Sequence, residues 1–339
     1  MSRPLLISAG VLLAAFTIGS LLWRYGTEQH AALKPTNSPF AEAVGVDISQ
    51  EQRRWRDRIA ATGPEAAYAE FKAAYTERHF SDQHIAAHIV GALLFEALGA
   101  AGLAVCDSTF AFGCYHSFFA SAIAKNGTGA VADLDRECVQ RLGRGETGCQ
   151  HGIGHGLMEY FGPHRLTEAL ISCERTTTVH PLLGCISGVF MEYNTPIAIG
   201  ASATQTLREL DASEPTAPCP SLAERFRPSC YFELAPWWRN YFSYQEMGNF
   251  CTGLNNVAER EACFLGIGYI IAPFSNYDLP TSQTECNRMP VRDSMLLCRS
   301  GLWWSYFVVP ERRSLADDTC GDLTSQERSY CIQKGRLLR

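Results

Sequence analysis

The first hydrophobic block of the chain lies at its N-terminus. Residues 4–23, PLLISAGVLLAAFTIGSLLW, carry no charge, and a helix of about 20 such residues crosses the hydrocarbon core of a bilayer. Arg3 and Arg24 flank the block. We predict an uncleaved signal anchor over residues 1–24, with its transmembrane helix at about 4–23. A cleaved signal peptide is the alternative, but its hydrophobic region would be shorter, and no convincing small-x-small cleavage site follows Ser20.

Beyond residue 82 the chain alternates between apolar, small-residue-rich segments and more polar ones. The apolar segments end in Gly, Asn or Pro, as helices packed closely on their neighbours do. They cover residues 149–162, 185–194, 263–273 and 298–307. A more polar helix such as 163–173 follows, and charged turns such as 222–230 and 256–263 lead to the next apolar helix. The pattern predicts repeated units of helix, short turn and helix.

The cysteines repeat in step with these segments. The chain has 14 of them, in seven successive pairs whose members are 8, 11 or 12 residues apart. Second members recur at intervals of 35, 36, 45, 33, 35 and 33 residues, and the long interval contains an insertion at 201–220. A period of 33–36 residues is typical of two-helix repeats. We predict disulfides between neighbours, although spacing alone leaves other pairings open. The predicted bonds join Cys106 to Cys114, Cys138 to Cys149, Cys173 to Cys185, Cys219 to Cys230, Cys251 to Cys263, Cys286 to Cys298 and Cys320 to Cys331.

A disulfide framework of this size indicates an oxidising compartment. No C-x-x-C motif occurs in the chain, so zinc ribbons, thioredoxin-type redox pairs and c-type haem attachment lack their usual signatures. We therefore expect a single-pass membrane protein with most of its chain outside the cytoplasm, in the periplasm or at the cell exterior. Each disulfide would join the end of one unit's polar helix to the start of the next unit's apolar helix.

In period and disulfide placement, residues 82–339 resemble the cysteine-stapled Sel1-type and tetratricopeptide-like α/α repeat proteins. The period and this resemblance predict an all-α fold of disulfide-stapled helix pairs, arranged as an open solenoid or a closed toroid. One N-terminal transmembrane helix precedes it. We divide the remainder into a linker at 25–48, N-terminal helices at 49–81 and the repeat domain at 82–339. No particular function follows from the resemblance.

Composition and charge narrow the choice of function. Hydrophobic residues make up 46% of the 339 residues and charged residues 19%, which supports a large core and excludes wholesale disorder. The formal net charge is −6, and the chain has no long Lys/Arg block. An acidic chain of this kind is a poor nucleic-acid binder, because that binding depends on neutralising phosphates.

Five of the nine histidines occupy two equivalent positions in three consecutive units. His84, His116 and His151 each lie 22 residues before the first cysteine of a pair, and His88 and His155 each lie 18 residues before one. Histidines four residues apart project from one helix face, and equivalent positions of adjacent repeats line up along one surface. We predict that the five imidazoles converge on one patch.

Converging imidazoles predict a transition-metal site. Imidazole is a common ligand of Zn, Cu and Fe, and an i,i+4 pair supplies two ligands to one ion. The set fits one ion with a further ligand position, or a pair of ions. Glu159 continues the face of His151 and His155 and is a candidate ligand, orienting group or general base. Glu192 is a weaker candidate. The alternative is a polar stripe that orients the helices or, when protonated, binds an anion.

Three classes of function remain. The first is a metal-binding protein for storage or delivery. The second is a metal-dependent enzyme in which Glu159 is the base and a metal-bound water the nucleophile. The third is a scaffold whose concave face binds a protein or peptide. The tryptophan pairs at 237–238 and 303–304 fit core packing, or an aromatic groove on that face.

Overall fold

A computed structural model describes residues 46–143, 147–177, 180–196 and 208–338. The protein is 75% helical and has no β-strand in these ranges, which confirms the all-α prediction. The predicted anchor at 1–24 and most of the predicted linker at 25–48 lie outside the described residues.

Fifteen α-helices occur in the described residues, joined by turns and short 3-10 helices. They are α1 Ile48–Thr62, α2 Pro64–Tyr75, α3 Phe80–Leu98, α4 Gly113–Asn126, α5 Val131–Leu142, α6 Thr147–Phe161, α7 Leu166–Ser172, α8 Cys185–Asn194, α9 Arg227–Phe232, α10 Ala235–Trp238, α11 Tyr244–Thr252, α12 Val257–Phe274, α13 Leu279–Asn287, α14 Arg292–Val308 and α15 Ser325–Arg336.

Seven of these helices form a succession in which each contacts the next. We call them the inner helices: α3, α4, α6, α8, α9, α12 and α14. They are mostly apolar, and the shorter, more polar helices α5, α7, α11 and α13 connect or flank them. Ahead of them, α1 and α2 pack together and against α3, with Trp55 edge-on to Phe71 at 5.4 Å between ring centroids.

All seven predicted disulfides join neighbouring cysteines, and no cysteine is free. Their Cα–Cα distances are 5.5–6.3 Å, within the usual range for disulfides. The predicted pairing is therefore confirmed at every position. The bonds are Cys106 to Cys114, Cys138 to Cys149, Cys173 to Cys185, Cys219 to Cys230, Cys251 to Cys263, Cys286 to Cys298 and Cys320 to Cys331.

The disulfides connect the polar segments to the inner helices. Cys138 near the end of α5 bonds to Cys149 in α6, and Cys286 in α13 bonds to Cys298 in α14. In the same way Cys251 in α11 bonds to Cys263 in α12. The prediction that each bond joins a polar segment to the next apolar helix is confirmed at these junctions.

The first and last disulfides differ slightly from this scheme. Cys106 follows a 3-10 helix rather than a polar α-helix, and its partner Cys114 lies in the first turn of α4. Cys320 ends a 3-10 helix, and its partner Cys331 lies in the middle of α15, the last helix described. α15 is polar rather than apolar, so the chain ends without another inner helix among the described residues.

One predicted turn is helical instead. Residues 256–263 were expected to be a charged turn, but only Asn256 precedes the helix, and α12 already begins at Val257. The Asn256 side chain accepts hydrogen bonds from the backbone N–H groups of Ala258 and Glu259. Such a cap satisfies donors that the first turn leaves without partners, so the charged residues form the first turns of the helix. Cys263 therefore lies inside α12 and not at its start.

The turn predicted at 222–230 is also partly helical. A 3-10 helix covers Glu224–Phe226, and α9 begins at Arg227 with Pro228 in its first turn. Proline suits that position because its missing N–H would have no partner there. Cys230, expected to close the turn, is therefore in α9 and is fully buried.

Glycines let the inner helices approach backbone to backbone. A Cβ built at Gly188 would lie 1.9 Å from the carbonyl oxygen of His151, and one at Gly266 would lie 2.0 Å from that of Phe232. A Cβ at Gly301 would lie 2.0 Å from the carbonyl oxygen of Leu265. These contacts fit the small-residue-rich composition of the apolar segments, and they bring side chains on adjacent inner helices together.

Substitution of Gly188 is expected to separate α6 from α8. In the Gly188→Ala variant the new methyl group overlaps a backbone carbonyl that cannot rotate away, so we expect a loss of roughly 1–3 kcal/mol in unfolding free energy. Thermal unfolding followed by circular dichroism measures it. Gly129→Ala is the matched control, because a Cβ there meets nothing within 4 Å. Equal thermal unfolding midpoints for the two variants would contradict the close contact between Gly188 and the His151 backbone.

Residues 209–215 belong to a compact unit distinct from the rest of the described chain, and within it Ser213 donates hydrogen bonds from its backbone N–H and its hydroxyl to Asp211.

One helical segment is apolar over a long stretch. Among the described residues, Phe80–Ala104 alone is long and apolar enough to cross a membrane. Most of its side chains are buried, as those of a core helix are.

Candidate metal centre

The five repeat-related histidines come together in one cluster. His84 and His88 lie on α3, His116 on α4, and His151 and His155 on α6. The imidazole ring centroids of neighbours in the cluster are 4.1–5.2 Å apart. The predicted convergence is therefore confirmed, and we call this set the histidine cluster.

Burial keeps the cluster uncharged. His88, His116 and His155 are 2–3% exposed, and His84 and His151 are half-buried. Desolvation lowers the pKa of all five imidazoles, and it lowers the pKa of His155 to about 3. The neutral ring is the form that binds metal. Neutral rings disfavour the alternative in which protonated histidines bind an anion.

On α6, hydrogen bonds determine which nitrogen of each ring carries the proton. His155 Nδ1 lies 2.9 Å from Oε2 of Glu192 and donates to that carboxylate. His151 Nδ1 lies 2.9 Å from the hydroxyl oxygen of Ser187, and this hydroxyl donates its own proton to Oε1 of Glu233 at 2.6 Å. When Glu233 is ionised, Ser187 must donate to it and therefore accepts from His151 Nδ1–H. In that state both rings carry their protons on Nδ1, and both Nε2 atoms keep their lone pairs.

These two lone-pair atoms face each other across a short distance. His155 Nε2 and His151 Nε2 are 3.0 Å apart, and in the state with Glu233 ionised no proton lies between them. Two ligands on one Zn²⁺ at 2.0–2.1 Å would have this separation at an N–metal–N angle of roughly 94°. A bound cation turns an unfavourable contact between two lone pairs into two coordinate bonds.

The pair on α3 has a related arrangement. His84 Nδ1 donates to the carbonyl oxygen of Phe110 at 2.9 Å, which leaves the lone pair on Nε2, 3.2 Å from His88 Nε2. His88 Nδ1 contacts the hydroxyl of Ser117 at 3.0 Å. A hydroxyl both donates and accepts, so this pair can hold either a metal ion or an N–H···N hydrogen bond.

His116 lies between the two pairs. Its Nδ1 is 3.0 Å from His88 Nε2, and its ring stacks on that of His155 with centroids 4.1 Å apart. Its Nε2 is buried and has no hydrogen-bond partner. Two groups that could hold a metal ion share this residue, each with ligand atoms within 4.8 Å of one another. They are His84, His88 and His116, and His116, His151 and His155.

One carboxylate that meets the cluster is that of Glu192. Glu192 is 3% exposed and bonds to His155. Glu159 is only half-buried and belongs to neither group that could hold a metal, so its role as a base stays a prediction. Sequence reasoning missed Ser187 and Glu233. Ser187 had a weak signal, since it lies two residues after a repeat cysteine, whereas nothing in the sequence distinguished Glu233.

The remaining histidines and the tryptophan pairs have other positions. His79 and His164 are exposed, and His30 lies outside the described residues. His180 is half-buried, and its Nδ1 accepts from the backbone N–H groups of Leu182 and Leu183. The tryptophan pairs pack in the core, since they are at most 8% exposed. Trp304 and Trp303 each also line a cavity, although not the same one.

Glu233 is the second buried carboxyl group near the cluster. It is 1% exposed, and burial raises its pKa to about 8 although the Ser187 hydrogen bond opposes the shift. Its Oε2 has no hydrogen-bond partner. The chain His151, Ser187 and Glu233 therefore links a candidate metal ligand to a buried carboxyl group, and ionisation of that group favours the His151 tautomer whose Nε2 keeps its lone pair.

Compared with protein-family models, curated proteins and solved structures, the chain matches none of them. The geometry of the histidine cluster therefore carries the functional assignment.

Proposed function

We propose that this protein binds transition-metal ions at the histidine cluster, on a disulfide-stapled α-repeat domain held outside the cytoplasm by an N-terminal membrane anchor. The metal is Zn, Cu or Fe, because neutral imidazole suits these ions and all the cysteines, which would otherwise supply thiolates, are in disulfides.

The 3.0 Å contact between His151 Nε2 and His155 Nε2 is the observation that supports the proposal most directly. Glu192, and Ser187 when Glu233 is ionised, hold the two protons on the far side of the rings, in the way that hydrogen-bonded partners orient metal-binding histidines. A cluster that served only for packing would gain by placing an N–H between the two nitrogens.

We propose two ion positions that share His116, whose ring releases its N–H proton to water when both positions are filled, so that each of its nitrogens binds one ion. One uses His116, His151 and His155, and the other uses His84, His88 and His116. Three imidazoles supply three ligands of a tetrahedral ion, and water or a substrate supplies the fourth. The first position is the stronger, since the second has an N–H···N alternative.

The repeat array and the anchor are parts of the same proposal. The succession of inner helices and the disulfides at the polar-to-apolar junctions support an array of two-helix units. Seven disulfides support an oxidising, extracytoplasmic location. The uncharged block at 4–23 supports a single membrane span.

Elemental analysis tests the metal assignment. The full chain, produced through an oxidising secretory compartment and purified in mild detergent, is expected to carry about one or two equivalents of a transition metal. The double variant with His84→Ala and His151→Ala should lose most of it while keeping its helicity. A double variant with His79→Ala and His164→Ala is the matched control, since both side chains are exposed. Equal metal content in all three proteins would refute the site.

The alternative function, a scaffold that binds a protein or peptide on its concave face, predicts a different result. It requires no metal, so removing the histidines would leave the metal content unchanged. The same elemental measurement therefore separates the two functions.

A further inference from the structure

A cavity of about 360 Å³ adjoins the histidine cluster. His84, His116 and His151 contribute to its wall, whereas His88 and His155 do not. Both proposed ion positions therefore have at least one ligand residue at the cavity surface. A molecule in the cavity is placed to supply the remaining ligand of an ion.

The rest of the wall is largely aromatic and aliphatic. It comes from the first turns of α3, α4, α6 and α8 and from the last turns of α9, α12 and α14. Characteristic residues are Phe80, Phe112, Phe232, Ile270, Phe274 and Trp304. Apolar walls around a few polar groups are the usual composition of small-molecule sites, and a volume near the lower end of their range suits a single ring.

Charge on the wall is sparse. Glu233 is largely protonated because burial raises its pKa to about 8, and Arg313, an exposed residue, is the one basic side chain of the wall in the described residues. Ser187 places its hydroxyl next to His151, at the cluster side of the cavity. The cavity therefore suits a molecule with an uncharged ring and one polar head at the histidine cluster.

We propose that the cavity binds a single-ring aromatic molecule whose oxygen head group, a phenol or a carboxylate, binds metal at the histidine cluster. The inference rests on the proposed metal site and names the class of molecule that the site receives. Ring and head would contribute separately, the ring by burial against the aromatic wall and the head by coordination.

Cobalt(II) is the probe metal, because its visible absorption responds to each change of ligand. The full chain is loaded with cobalt(II) and titrated with four compounds. Phenol and benzoate distinguish the two head groups, acetate lacks the aromatic ring, and toluene lacks the oxygen head group. We expect phenol or benzoate to change the spectrum with about ten- to a hundredfold tighter binding than acetate, since a buried ring adds apolar contact. Toluene should compete with benzoate without changing the spectrum by itself.

The outcomes separate this inference from the proposed function. If no cobalt binds, the metal site is refuted, and the ligand class with it. If cobalt binds but benzoate and acetate are equivalent, or no aromatic ligand alters the spectrum, the metal site stands and the cavity proposal is overturned.

Variants that fill the cavity give an independent test. Ile270→Trp and Val308→Phe each add bulk to the wall away from the histidines, and Val308 is half-buried, which makes its substitution the milder one. Both should keep their cobalt and weaken aromatic binding at least about tenfold. Val257→Trp is the matched control at an exposed position of α12, the helix that carries Ile270. Unchanged affinity in a cobalt-loaded filled variant would overturn the proposal.

Discussion

Replacing His116 by alanine is expected to remove both ion positions at once. His116 belongs to both groups that could hold a metal, whereas every other histidine of the cluster belongs to one. We expect the unmodified protein to bind about two equivalents of metal and the His116→Ala variant almost none. The single variants His84→Ala and His151→Ala should each retain about one equivalent. Titration with cobalt(II) or zinc, with elemental analysis of the dialysed protein, measures the stoichiometry.

The comparison among these variants contains its own control. His116 is 3% exposed, so its truncation also leaves a small cavity, and circular dichroism must show that the helices persist. The His79→Ala variant, changed at the exposed N-cap of α3, should bind as much metal as the unmodified protein does. If His116→Ala retains one equivalent, the two positions do not share this residue, and the bridging assignment is wrong.

Reducing the disulfides is expected to abolish the tertiary structure. Each bond closes a loop with a sequence separation of 8–12 residues, and such a loop contributes about 3 kcal/mol in the chain-entropy view. Seven such contributions exceed the net stability of roughly 5–15 kcal/mol that a domain usually has. Near-ultraviolet circular dichroism and thermal unfolding, before and after reduction and alkylation, measure the effect.

Metal removal should act differently from reduction. Treatment with a chelator alone is expected to keep the near-ultraviolet spectrum, because the disulfides and the glycine-mediated helix contacts do not involve the ions. A reduced and alkylated protein that still unfolds cooperatively near the original temperature would show that packing suffices without the disulfides.

Much of the fold could be predicted because its signals are local or periodic. Apolar segments ending in Gly, Asn or Pro predicted α6, α8, α12 and α14, and the regular spacing of cysteines predicted seven neighbouring disulfides. The error at 256–263 arose at a helix boundary. Charged residues suggested a turn there, but the cap at Asn256 allows them to occupy the first turns of α12.

The histidines of the cluster were predictable for the same reason. Equal offsets from successive cysteines place their side chains at one level of adjacent helices, and the i,i+4 spacing places each pair on one face. The carboxylate was not predictable in this way. Glu159 continues the face of its own helix, but the group that bonds His155 is Glu192, which comes from the next inner helix.

Spacing along the chain was enough to predict most helical segments, neighbouring disulfides and the alignment of five imidazoles. The fold was needed for the other features of the site: the partners of each ring, the contact between His151 and His155, the link through Ser187 to Glu233, and the adjoining cavity. These features depend on how closely neighbouring helices approach each other. Contacts between glycines and the backbone of the next helix set that distance, and the spacing of residues along the chain does not reveal it.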